Sequence, residues 1–174
     1  MTKLIIFVLC SAVVVWYSWP SIKKPGGHGF YRFFAFETLL VLVLLNVDHW
    51  FLQPFAINQV FSWFFLALSL LLAVQGFYFL RVIGKPEGDF ENTKTLVAVG
   101  VYRFIRHPLY SSLVVGCLGV FLKDLSVQGA FLAAATCVLL DATARAEELE
   151  NRTKFGTEYE RYMKTTKRFI PFLY

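Results

Sequence analysis

Residues 100–110 read GVYRFIRHPLY, which places Arg103, Arg106 and His107 directly before Pro108 and a long apolar run. Cationic side chains at the mouth of a membrane-length segment point to chemistry on a negatively charged group. Proline at the first helical position loses no hydrogen bond, so Pro108 marks a helix start. The free backbone N–H groups and positive dipole end there favour an anion, and Arg106 adds a full charge. His107 adds an imidazole, the side-chain type that exchanges protons near neutral pH. Two apolar runs later come two adjacent carboxylates, Glu147 and Glu148, which can hold a cation.

These residues need a scaffold, and composition says what kind. The chain is 57% hydrophobic and 18% aromatic, and only 17% of its residues are charged, against roughly 25% in a soluble domain. The fold class expected is all-α: an integral membrane protein with about five transmembrane helices. The apolar runs are 4–19, 30–51, 60–80, 108–122 and 125–144. The middle ones approach the ~20 residues that a bilayer-crossing helix needs, and the first and fourth are shorter. The turn KDLSVQ at 123–128 makes the last two a helical hairpin. Beyond residue 144, ARAEELENRTKF holds no helix breaker before Gly156, so the helix runs on. Leu149, Phe155, Tyr159 and Tyr162 then mark an amphipathic C-terminal helix on the inner membrane surface. The third loop contains a polar, irregular stretch at 84–93.

The net charge of +5 reads as topology and not as an affinity for nucleic acid. With five crossings, two Lys and Arg residues fall on one face and fifteen on the other. Cytoplasmic loops carry that excess, so the N-terminus is expected outside and the third loop, the tail and the site inside. Trp16, Tyr17 and Trp19 follow the first apolar run as an interfacial aromatic belt, where a cleavable leader would carry small residues, so that run is expected to stay. Cys10, Cys117 and Cys137 lie in apolar runs without ligand spacing, and His28 and His49 are isolated, so neither a disulfide framework nor a metal site is expected.

Ionisable and strongly polar residues inside a bilayer are costly, which makes each a candidate for function. Glu37 lies about 10 Å into the second run at 1.5 Å per residue. Gln75 sits at similar depth in the third and Asp141 near the inner end of the fifth, all in the leaflet of His107. Glu37 and Gln75 are therefore candidates for a substrate pocket opening towards the cytoplasm, with interhelical hydrogen bonding as the alternative. Asp141 has Arg145 four residues on and reads as its ion-pair partner.

RHPLY followed across one hairpin by EELENRTKFGTEYERYM resembles the integral membrane methyltransferases of the isoprenylcysteine carboxyl methyltransferase group. The phospholipid N-methyltransferases share the RHPxY and paired-Glu elements. The likeness covers roughly residues 95–171. It implies a five-helix membrane core that binds S-adenosylmethionine, with Leu96, Val97, Gly100 and Tyr102 lining the nucleoside region. His107, Pro108 and Tyr110 would lie near the methionine part, and Glu147 and Glu148 would hold its amino group. Arg106 would bind the cofactor carboxylate or steer the acceptor, and Arg106, His107 and Glu148 would form the catalytic set. FGTEYERY and the terminal RFIP would brace the cap. The chain departs from relatives that carry a glycine two residues after the motif tyrosine, having Ser111 and Ser112, and it has no soluble-type GxGxxG turn.

The whole chain, 1–174, is expected to be one domain, with three helices in 1–83 and the cofactor-binding half in 84–174. Methyl transfer from a sulfonium is an in-line displacement, governed by alignment and desolvation. The acceptor expected is a lipophilic or lipid-modified molecule drawn from the membrane lipids' own phase. An isoprenylcysteine carboxylate comes first, with a phospholipid amine, a small thiol or a non-catalytic scaffold as alternatives. A carboxylate acceptor needs no base, whereas an amine or thiol would call on His107.

Overall fold

The protein is described by a computed structural model that covers residues 1–85 and 93–174. Of the polar 84–93 stretch, residues 86–92 lie outside the described residues. The described chain is mainly helical, with a parallel β-bridge between Ile105 and Lys167. Five apolar helices follow in order: α1 (Thr2–Ile22), α2 (His28–Asn46), α3 (Ile57–Val82), α4 (Pro108–Phe121) and α5 (Val127–Phe155). A short polar helix, α6 (Thr157–Thr165), ends the series. α1, α2 with its 3-10 extension to His49, α3 and α5 are long and apolar enough to cross a membrane. α4, with 14 residues, is shorter.

The helices pack side by side in the order α1, α2, α5, α4, α3, with successive neighbours antiparallel. Ala35 and Leu42 of α2 and Leu140 and Ala144 of α5 are buried there, and the Thr38 and Thr136 hydroxyls meet at 2.9 Å. α3 and α4 approach closely through small residues, the usual solution where lipid offers no hydrophobic drive for association. Ser62 Oγ donates to Gly119 O at 2.6 Å, and Ser69 Oγ to Ser112 O at 2.7 Å. A Cβ on Gly119 would lie 3.0 Å from the Leu66 side chain and 3.1 Å from its backbone nitrogen.

One end of the bundle is closed by Lys123, which is 2% exposed. Its Nζ donates to Gln59 Oε1 at 3.1 Å and sits 3.6 Å from the Trp63 ring centroid. Gln59 returns a bond to Lys123 O at 2.9 Å, so the two turns at this end are tied together. At the other end α5 runs on to Phe155, as its unbroken sequence predicts. Gly156, at φ +56, then reverses the chain in a conformation that L side chains rarely adopt. The expected amphipathic helix is thus split in two. α6 folds back over the bundle end, with Tyr159 and Tyr162 buried against the protein.

Gly119→Val overpacks the α3–α4 contact and is expected to cost about 1–3 kcal/mol, read as a lower thermal midpoint in detergent. An unchanged midpoint would contradict this close approach.

Candidate active site

The segment entering α4 and the C-terminal tail build the site together. Arg106 N donates to Lys167 O at 2.8 Å, His107 N to Arg168 O at 3.2 Å, and Lys167 N to Phe104 O at 3.1 Å. His107 is the N-cap residue of α4 and Pro108 its first residue, the start that the sequence implies. Ser111 Oγ donates to Phe169 O at 2.9 Å, which fastens the tail to the first turn of α4. Gly100, at φ +60, opens the 3-10 turn that leads to this segment. A Cβ there would fall 2.1 Å from the Phe79 ring, so the glycine lets the loop lie against α3.

Between α3, α4, α5 and α6 lies an open-mouthed cavity lined by residues from every one of these elements. Among the expected site residues, Leu96, Val97, Tyr102, Arg106, His107, Pro108, Tyr110 and Glu147 line it. His107 is 5% exposed. Its ring stacks on Tyr110, with centroids 5.5 Å apart and planes 19° apart. Its Nδ1 lies 3.9 Å from Glu147 Oε2. Its Nε2 lies 3.4 Å from Glu148 Oε1 but has no hydrogen-bond partner.

Glu148 is placed differently from its neighbour. It is 5% exposed and lies behind the cavity wall, clasped by two arginines. Arg106 Nε donates to Oε1 at 2.9 Å, while Arg168 Nε and Nη2 donate to Oε1 and Oε2 at 3.2 and 2.8 Å. Arg106 Nη1 donates to the Thr166 carbonyl. The Glu148 bonds hold the Arg168 guanidinium above its ordinary range. Arg168 also reaches Asp141 Oδ1 at 2.9 Å, and Arg145 Nε donates to Asp141 Oδ2 at 2.6 Å, the i,i+4 pair the sequence suggests. The adjacent carboxylates therefore divide: Glu147 faces the cavity and Glu148 anchors the cations.

Gly100 packs on Phe79 and is not part of the cavity lining. The expected pocket residues Glu37 and Gln75 also lie apart from it. Glu37 accepts a bond from Ser11 Oγ at 3.0 Å between α2 and α1. Gln75 is exposed on α3, one residue before Gly76, which meets Leu109 and Pro108. Equal depth in a bilayer does not mean the same helix face, and facing separates these residues from His107.

Asn151, Phe155, Tyr159 and Tyr162 complete the wall without having been singled out as site residues. Asn151 follows Glu147 by one helical turn, a spacing that does place it on the Glu147 face. The two tyrosines look like membrane-facing residues until the reversal at Gly156 turns them inward. Burial, and then the Glu147 and Glu148 charges, push the Tyr159 phenol up; burial and Tyr159 do the same for Tyr162. Both remain protonated donors, and Tyr162 uses its hydroxyl on Tyr102 O at 2.7 Å.

The cavity thus has a guanidinium, a carboxylate and aromatic rings in its lining. That donor set suits a ligand with a flat ring, an ammonium and a carboxylate. A family model described as phospholipid methyltransferase matches residues 57–162, from the first turn of α3 to Tyr162 of α6. No curated protein matches the chain.

Breaking a buried ion pair from one side costs about 3–5 kcal/mol. Glu148→Ala is therefore expected to lower thermal stability far more than Glu147→Ala, whose effect should stay within about 1 kcal/mol. Equal destabilisation by the two variants would contradict the division of roles.

Proposed function

The chain belongs to the phospholipid methyltransferase family, and we propose that it moves the methyl group of S-adenosylmethionine to a lipophilic acceptor at the cytoplasmic face of a membrane. The observation that carries this reading is the convergence of the Arg106–Tyr110 segment and Glu147 on one cavity. When bound, S-adenosylmethionine supplies a methyl on a positively charged sulfur. Arg106 takes the carboxylate end of the ligand, Glu147 takes the ammonium, and Tyr102, Tyr159 and Tyr162 cover the flat base. The burial of His107 and of both α6 tyrosines keeps water from the reacting atoms, the condition under which alignment accelerates displacement.

The orientation follows from the charge count: the end bearing fifteen of the seventeen Lys and Arg residues faces the cytoplasm. The chain works as one domain, since Leu80 of α3 lines the cavity and Phe79 seats the loop that leads to it. The family match runs from α3 to α6, over residues 57–162.

An isoprenylcysteine carboxylate is the first acceptor proposed, because it needs no proton removed and the RHPLY and EE elements resemble enzymes of that group. A phospholipid amine is the second, favoured by the family match. The proton an amine must lose would go to the His107 ring, which lines the cavity and whose Nδ1 lies 3.9 Å from Glu147 Oε2.

Incubation with methyl-labelled S-adenosylmethionine and each acceptor separates the readings. Label in a carboxyl ester is released as methanol by alkali, whereas label on nitrogen is retained. Esterification is expected to survive His107→Gln to within about tenfold, and N-methylation is expected to fall by about 10²-fold or more. A folded sample that labels no lipophilic acceptor and binds no S-adenosylhomocysteine would overturn the proposal.

A further inference from the structure

Arg106 has three guanidinium nitrogens. Nε is bonded to Glu148 and Nη1 to the Thr166 carbonyl, which leaves Nη2 on a side chain that lines the cavity. Glu148 Oε1 receives both arginines, but Oε2 receives only Arg168 Nη2, at 2.8 Å. We propose that Arg168 is a positioning residue for methyl transfer: by filling Glu148 Oε2 it keeps Arg106 Nη2 free for the anionic end of the bound cofactor.

The physical argument concerns competition for one oxygen. A buried carboxylate oxygen without a donor is costly, and a carboxylate beside a single arginine prefers two parallel bonds to it. Without Arg168, the donor at hand for Oε2 is Arg106 Nη2. Glu148 would turn to take it, drawing that nitrogen out of the cavity. Arg168 is well placed to prevent this because it is held from three directions. Its carbonyl accepts from His107 N at 3.2 Å, and its Nη1 donates to Asp141 Oδ1 at 2.9 Å and to Tyr174 Oη at 2.8 Å. Phe169, the next residue, is fixed through Ser111. The tail therefore brings its own arginine in a set direction, and lysine, a point charge with no fork, cannot serve both oxygens in this way.

This inference rests on the methyl-transfer reading and is tested by binding. Isothermal titration compares S-adenosylhomocysteine, which has the amino-acid end, with 5′-methylthioadenosine, which lacks it. Arg168→Gln is expected to weaken S-adenosylhomocysteine by about tenfold or more, the scale of a charged hydrogen bond, and to leave 5′-methylthioadenosine unchanged. Arg168→Lys should not restore the difference. Asp141→Asn, which loosens the far end of Arg168, gives a smaller loss of the same selectivity if Arg168→Gln does not fold. Parallel weakening of both ligands, full rescue by lysine or no change in either ligand would overturn the proposal. If the unsubstituted protein binds neither ligand, the methyl-transfer reading itself fails.

Discussion

The Glu148 carboxylate, sealed between Arg106 and Arg168, is the interaction on which the architecture at the Pro108 end of the bundle depends. A buried charge is tolerable only when its partners are held in good geometry. Those partners come from two stretches far apart in the chain, the approach to α4 and the C-terminal tail. Satisfying one carboxylate therefore joins α5, the α4 entrance and the tail into a single unit. The backbone bonds between 104–107 and 167–168 follow the same line and complete it.

The charge within that unit is uneven in a useful way. Arg106, Arg145 and Arg168 share the carboxylates of Glu148 and Asp141, so the network keeps an excess of positive charge. Arg145 directs its charge to solvent, and Arg106 presents its own to the cavity. Glu147 also lines the wall, so the cavity offers both a cation and a carboxylate alongside the aromatic rings of α6.

Much of this was legible from residue types. Pro108 announced the start of α4, because proline at that position has one natural place in a helix. The run from Ala144 to Phe155 read as helix for want of a breaker, and the five apolar stretches told of a membrane bundle. What the residues could not express was direction. Glu37 and Gln75 share a depth with His107, but two helices at one depth can face opposite ways. Tyr159 and Tyr162 carried the spacing of a membrane-facing stripe, and only the reversal at Gly156 turned that stripe into a wall. The neighbours Glu147 and Glu148 looked equivalent, yet adjacent helical positions point about a quarter-turn apart. The role of Arg168 depends on a contact across the whole C-terminal half, which no local pattern contains.

The shortness of α4 has its own meaning for the lipid phase. Fourteen residues make a rod about 21 Å long, while the hydrocarbon layer is about 30 Å thick. The Lys123 turn ties the far end of α4 to α3, so the missing length falls at the Pro108 end, where the cavity lies. Gly76 of α3 meets Pro108, while α3 runs on to Val82, so the vestibule is set back from the end of α3 and lies beside α6. For the lipophilic acceptor proposed above, a recessed site of this kind would receive the head without lifting a long tail into water. Each methylene kept in the bilayer spares about 0.8 kcal/mol, and over a long chain that saving decides whether the encounter takes place at all.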